Sequence, residues 1–299
     1  MGFVALGAVE QDSACRIGNR ISYALRSPGG IEEVTKMSDF RADLCADRVA
    51  LVTGGGTGIG RGIARALGEH GARVCIASRR SDVLEAAVKE LEGDGIEAMW
   101  VPCDVREPDQ VEAVIEAILA RWGRLDIVIN NAAGNFPAAI EGLSYNGFKA
   151  VVDIDLRGTY HVTKVAFERA LKEGGGHIVN ITAPFERMGV AFQAHVAAAK
   201  TGVDSLTRTC AVEFGPHGVR VNALAPGAIG GTEGMERVGG GDAGEARCPL
   251  RYVGAPLDIA NAVLFLCSSA AAYISGQVIC VDGGAAVGMM QIPPPGSDA

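Results

Sequence analysis

The sequence has no excess of positive charge, no long apolar run and no paired-cysteine motif, and each absence removes a class of function. Lys and Arg total 27 against 35 Asp and Glu, for a formal net charge of −8, and the pI is near 5.2. Nucleic-acid binding needs a basic face that displaces counterions, so that class is set aside. Any anionic ligand must be held by locally placed arginines, lysines or backbone amides. No apolar run approaches the roughly 18 residues of a membrane span. The eight cysteines, at 15, 45, 75, 103, 210, 248, 267 and 280, form no CxxC pair and have no partnered histidines. That spacing suits neither zinc nor an iron–sulfur cluster, so no metal is expected. It fits a reducing compartment, with Cys75, Cys267 and Cys280 read as small core residues.

Glycine, by contrast, is abundant: 41 of 299 residues, about twice the usual share of about 7%. The surplus is neither periodic nor joined to high proline, which excludes collagen and low-complexity chains. It points to tight turns and close backbone approaches.

From Arg48 onward, short β-branched runs alternate with helical patterns. Strands are predicted at Val49–Thr53, Val74–Ala77, Ala98–Pro102, Leu125–Ile129, His177–Ile181, Val219–Leu224 and Val278–Val281. The clearest helix is Pro108–Trp122, with Val111, Val114, Ile115, Ile118, Leu119 and Trp122 on one face and Pro108 in the first turn. Another starts at Ser81, a plausible N-cap, and buries Leu84, Val88 and Leu91. Seven strands with helical crossovers predict an α/β fold, one doubly wound domain whose parallel sheet is covered on both faces. Residues 37–288 form that domain, 289–299 read as a flexible tail, and 1–36 as a flexible extension or a segment ahead of a start at Met37. Leu6 stands where a myristoylation signal needs Ser or Thr, and the final Ser297-Asp298-Ala299 is unlike a peroxisomal address, so a cytoplasmic location is expected.

The first strand runs into Thr53-Gly54-Gly55-Gly56-Thr57-Gly58-Ile59-Gly60 and then a helical pattern. In that context a glycine-rich loop lets backbone approach a pyrophosphate, and the helix N-terminus offers free amides and a positive dipole end. The second strand ends Ser78-Arg79-Arg80, where an NAD-binding chain wants a carboxylate for the ribose. Arginines there would clamp a 2′-phosphate and favour NADP(H); they also suit a solvated helix start. Asp104-Val105, Asn130-Asn131 and Pro226-Gly227 end later strands on the same carboxyl edge, with Ile229 and Thr232 just beyond.

This constellation resembles the short-chain dehydrogenase/reductase family, a Rossmann-type fold, over nearly all of residues 40–287. The family's catalytic pattern is an Asn, a Ser, and a Tyr four residues before a Lys. Here Lys200 is kept, Val196 stands at the tyrosine position, Ala183 at the serine position and Asp155 at the asparagine position. Valine has no proton for an alkoxide, so ordinary carbonyl reduction is disfavoured. The peroxisomal-type 2,4-dienoyl-CoA reductase subgroup is similar in these departures, in Asn130–Phe136 (NNAAGNF), Leu143–Lys149, Val152–Asp155, Ile178–Ala183 and Pro226–Met235.

That resemblance implies NADPH-dependent reduction of a 2,4-dienoyl-CoA to a trans-3-enoyl-CoA in β-oxidation. Hydride adds at C5, the resulting dienolate oxygen needs stabilisation, and a proton reaches C2. Asp155 and Lys200 are expected to orient a donating water together, since a lone ionised carboxyl is a poor acid at neutral pH. Lys200 would also hold the nicotinamide ribose, and Asn131 would join the cofactor site. For CoA, the resemblance carries over Arg79, Arg106, Phe136, Ser144, Tyr145, Asn146 and Arg237. His195 reads as packing, His161 and His177 more firmly so, and Gly239-Gly240-Gly241 as either a flap or a loose loop. A homo-oligomer, tetramer or dimer, is implied through helices near 156–172 and 196–214. Competing readings are another activated enoyl-CoA reductase, a general short-chain oxidoreductase and a non-catalytic NADP-binding protein.

Overall fold

Strings of Val, Ile, Leu and Ala with no charged residue inside them can be buried on both faces at once, which is what a central parallel strand requires. Val49–Thr53 (β3) is such a string, buried at all five positions, and lies mid-sheet. The computed structural model describes residues 20–27, 30–37, 40–186, 188–237 and 248–288. Arg20–Ser27 (β1) and Gly30–Met37 (β2) pair antiparallel as a separate two-stranded sheet, Arg20 opposite Met37 and Ser27 opposite Gly30. The rest of the 1–36 extension, the 289–299 tail and the Gly239–Gly241 run lie outside the described residues.

The main sheet has seven parallel strands: β3, Arg73–Ser78 (β4), Ala98–Pro102 (β5), Ile127–Asn130 (β6), Gly176–Ile181 (β7), Val219–Pro226 (β8) and Val278–Val281 (β9). Their order is β5-β4-β3-β6-β7-β8-β9, which reverses direction of growth between β3 and β6. Ligands in open α/β sheets bind at that reversal, outside the carboxyl ends of the strands. Helices Gly58–Glu69 (α1), Ser81–Gly93 (α2) and Pro256–Cys267 join one core layer. Pro108–Trp122 (α3) and the helical run from Tyr145 to Gly174 cover the other face, together with the long helix Ala194–Phe214.

The long run comprises Tyr145–Val152 (α4), a π-helical turn at Asp153–Arg157, Gly158–Ala166 (α5), a second π turn at Phe167–Leu171, and Lys172–Gly174 (α6). Ala194–Phe214 is α7, Glu233–Arg237 α8 and Pro256–Cys267 α9.

Two local expectations are corrected. Ser81 is the first helical residue of α2; Arg80 holds the cap position with extended backbone and no side-chain cap bond. β6 starts at Ile127 rather than Leu125, because Asp126 acts as a clasp: its carboxylate accepts from the Val49 amide at 2.8 Å while Arg124 grips it from the turn.

Across the middle of the sheet runs a buried polar chain. The Asn130 side-chain amide donates to Thr163 Oγ1 at 3.0 Å and Asn180 Oδ1 at 2.8 Å. Asn180 Nδ2 donates to Thr207 Oγ1, and that hydroxyl donates to the Val203 carbonyl, each at 2.8 Å. The network pins β6 and β7 to α5 and α7, the elements that carry the site. Asn180→Val removes one hydrogen bond from Asn130 and one from Thr207, each of which keeps its other partner, at about 0.5–1.5 kcal/mol per bond; urea unfolding should show a lower midpoint, and an unchanged midpoint would mean the network adds no stability.

Candidate functional site

The loop after β3 is shaped by what cannot fit in it. Gly54 and Gly58 have positive φ, 64° and 51°. A Cβ on Gly60 would lie 2.3 Å from the Gly54 carbonyl oxygen and 2.5 Å from Asn131 Nδ2, and one on Gly55 would meet Ile76 at 2.6 Å. Gly56 faces Val83, and Gly58 faces Thr232. Thr57 caps α1 in extended conformation without a side-chain bond, and the first turn holds no acidic residue. The amides of that turn and its dipole therefore meet nothing that opposes an anion. A cradle closed to side chains and open to negative charge fits a dinucleotide pyrophosphate.

Asn131 staples this loop in place: its amide donates to the carbonyls of Thr53 at 3.0 Å and Gly54 at 3.2 Å. Thr53 Oγ1 in turn accepts from the backbone amides of Asn131 and Ala132. On the far side, Thr232 Oγ1 bonds the Ile229 carbonyl at 2.8 Å, and Gly227, beyond Pro226, donates to the Val281 carbonyl.

The arginines have been divided among tasks. Arg106 forms a forked pair with Asp104, its Nε within 2.9 Å of Oδ1 and 3.0 Å of Oδ2. That guanidinium holds the Asp104 carboxyl below its usual range, with Arg79 adding a smaller pull. Arg80 reaches across the mouth to Glu233 at 2.8 Å. Of the pair ending β4, Arg79 is the one that the described ion pairs do not engage. Val105 packs under Gly158, where a Cβ would stand 2.5 Å from its Cγ2, and its carbonyl lies 3.0 Å from His161 Nδ1.

At the reversal point, one buried ion pair and its hydrogen bonds join four elements. Lys200 Nζ lies 3.2 Å from Asp155 Oδ2 and donates to the Ile181 carbonyl at 3.0 Å. The other Asp155 oxygen accepts from the Gly134 amide at 2.7 Å. Asp155 sits inside the π turn, whose extra residue per turn aims its carboxylate at the loop after β6; such turns recur at functional sites. Gly202 lets α7 approach, since a Cβ there would meet Leu156 Cδ2 at 2.8 Å. Val196 is buried against Val151 and Ala199 with Phe185 beside them, so the phenol position is filled by an apolar cluster.

The remaining residues named from sequence are spread along the rim. Ser144 Oγ caps α4 by accepting from the Gly147 amide at 3.0 Å. Tyr145 and Asn146 are exposed on the first turn of that helix. Phe136 lies against His195. Arg237 ends α8, with its side chain outside the described residues. His177 is half-buried near Arg220, and desolvation first, then that charge, pulls its pKa down to about 4, in keeping with a structural role.

Known proteins agree with this architecture. Residues 54–286 match the family model described as Enoyl-(Acyl carrier protein) reductase. The peroxisomal 2,4-dienoyl-CoA reductase [(3E)-enoyl-CoA-producing] of Danio rerio is 45% identical over 251 residues, 82% of this chain and 84% of that protein. Its Rattus norvegicus counterpart is 44% identical over 268 residues, 87% and 92% respectively. A crystal structure of a short chain dehydrogenase from Bacillus anthracis matches with a TM-score of 0.76 and 38% identity, covering 83% of this chain and 100% of that one. The chain belongs to the short-chain dehydrogenase/reductase family. Membership makes it an oxidoreductase that works with a nicotinamide cofactor. Among the described residues, no helix is long and apolar enough to cross a membrane.

One residue escaped the sequence reading. Asp204, one turn beyond Lys200 on α7, is fully buried, and desolvation pushes its carboxyl up to about 6. Thr182, Arg208 and Lys200 pull the other way, and Glu186 adds to the rise. The available signal was the i,i+4 spacing from Lys200 on a helix of small and apolar residues. In the unfolded chain this carboxyl titrates near the ordinary value of about 3.9. Between pH 4 and 6 the native state thus holds a proton that the unfolded state has released, so stability falls as pH rises through that window. The loss is of order 2–3 kcal/mol and is complete above the native value. Asp204→Asn should flatten the pH dependence of urea stability between 4 and 6; a slope equal to wild type would contradict the assignment.

Proposed function

We propose that this protein reduces 2,4-dienoyl-CoA thioesters to trans-3-enoyl-CoA, the conversion that the names of its relatives state for them, and that it does so with NADPH. The observation that carries the reading is the Lys200–Asp155 pair at 3.2 Å beside a valine in the phenol position. A site without that phenol is ill suited to protonate an alkoxide, and reduction of a conjugated thioester forms none.

When bound, NADPH supplies the hydride that adds at C5. The chain's own work is then at the other end of the conjugated system. Asp155, fixed by the Gly134 amide, and Lys200, fixed by the Ile181 carbonyl, would hold a water whose proton goes to C2. Lys200 also lies where a nicotinamide ribose would rest. Gly54–Gly60 and the α1 amides take the pyrophosphate, with Asn131, Pro226, Gly227, Ile229 and Thr232 closing the far wall and Asp104-Val105 near the adenine. Phe136, Ser144, Tyr145, Asn146, Arg106 and Arg237 form the rim proposed for the CoA end.

NADPH over NADH is favoured because β4 ends in Ser78 followed by arginines, and Arg79 is open to a 2′-phosphate. The described cysteines are all free thiols, and most are buried, which supports a reducing, cytoplasmic setting. A homo-oligomer is supported by half-exposed Tyr160 on α5 and largely exposed Val212 on α7.

NADPH oxidation followed at 340 nm should proceed with 2,4-hexadienoyl-CoA and yield the 3-enoyl product. Oxidation with a simple ketone alone would refute the assignment, and turnover of a 2-enoyl-CoA alone would move it to the other activated-alkene reading. Asp155→Ala is expected to bind NADPH normally and lose most turnover; near-normal rates would remove Asp155 from the proton path. Arg79→Ala should weaken NADPH about tenfold or more, the scale of a lost charge-assisted bond of roughly 1.5–3 kcal/mol, with NADH little affected. Equal losses for both cofactors would point to a general effect on the loop.

A further inference from the structure

His195 is completely buried, and among the described residues neither of its ring nitrogens has a hydrogen-bond partner. It is the second residue of α7 and stands next to Val196, the apolar residue in the family's phenol position. Its ring lies against that of Phe136, centroids 4.5 Å apart at 56°. Phe136 is 38% exposed, so it covers the imidazole with one face and meets solvent with another. The far end of the Phe136 ring reaches α4, where a Cβ on Gly147 would stand 3.2 Å from Cζ.

The same short loop ties this histidine to the reaction centre. Gly134, two residues before Phe136, donates to Asp155, so the loop touches the carboxylate at one end and covers the imidazole at the other. Gln193, at the start of α7, also has a buried carbonyl oxygen without a partner.

A neutral imidazole has one N–H donor and one acceptor. Burying both unbonded gives up their hydration with nothing in return, and a leucine would fill the space without that loss. Such groups call for an explanation, and a ligand carbonyl supplies one. An acyl chain has no polar atom to offer. The thioester carbonyl does, and it gathers negative charge as the diene is reduced. With valine at 196, no phenol is present to meet that oxygen.

We propose that His195 donates its ring N–H to the thioester carbonyl oxygen of the bound acyl-CoA, Phe136 turning aside to admit it. This rests on the dienoyl-CoA reading above. His195 keeps its proton throughout; its hydrogen bond strengthens as charge builds on the oxygen, while the C2 proton still comes from the water held by Asp155 and Lys200.

The test compares wild type, His195→Gln and His195→Leu in turnover of 2,4-hexadienoyl-CoA and in NADPH binding. His195→Leu should lose about 10²-fold or more in kcat, as when one oxyanion donor is removed, with NADPH affinity unchanged. His195→Gln, which retains a donor, should recover part of the loss. In parallel, wild type labelled with ¹⁵N-histidine and saturated with NADP⁺ is titrated with hexanoyl-CoA. The ring resonance that the substitutions delete should shift, and free CoA should leave it in place. Wild-type rates in His195→Leu, or a resonance that hexanoyl-CoA does not move, overturn the proposal and leave the dienoyl-CoA reading standing. A wild-type protein that leaves dienoyl-CoA unreduced overturns that reading instead, and the hexanoyl-CoA titration then decides whether His195 meets an acyl-CoA.

Discussion

A lysine buried beneath the carboxyl edge of a sheet has to be paid for, and the surroundings of Lys200 are arranged to do so. Removing an ammonium and a carboxylate from water is repaid only when geometry is good and their remaining valences are met. Here the Ile181 carbonyl takes one Lys200 proton, and the Gly134 amide takes the second Asp155 oxygen. Those partners come from the end of β7 and the loop after β6, while the pair itself bridges α7 and the π turn. Four elements are held in register by one pair of opposite charges. The buried Asn130–Asn180–Thr207 chain runs beneath it and fixes the same strands and helices from below.

Around that centre, the arginines at the mouth are largely committed to carboxylates. Arg106 is committed to Asp104 and Arg80 to Glu233. Backbone amides at the start of α1 are placed, in the proposed function, to do the work that a basic cluster would otherwise do. The net charge of −8 therefore says little about the mouth of the site. Local geometry there can attract anions although the protein as a whole repels them.

Much of this was legible in the sequence because it depends on local rules. β3, β5, α3 and β9 have the bounds that pattern and turn chemistry gave them, and the glycine-rich turn falls between the strand and helix that its chemistry needs. Asp155 and Lys200 could be named from motif position, and the fold brings them into contact. Other features depend on residues far apart in the chain. Nothing near Arg80 announces Glu233, and nothing near Leu125 shows that Asp126 will clasp the Val49 amide. Nothing in the sequence marks Asp204, whose burial follows from α7 turning that face inward beside Thr182 and Lys200. The vacant ring nitrogens of His195 are a property of packing, which periodicity cannot reveal.

The π turn at Asp153–Arg157 carries one residue more than an α-helical turn would. Each helical residue rotates the chain by about 100°. Deleting any one residue between Tyr145 and Asp155 would relax the bulge, and it would swing the carboxylate a third of a circle from its ammonium. The segment is thus intolerant of length change even where its individual side chains are exposed and replaceable.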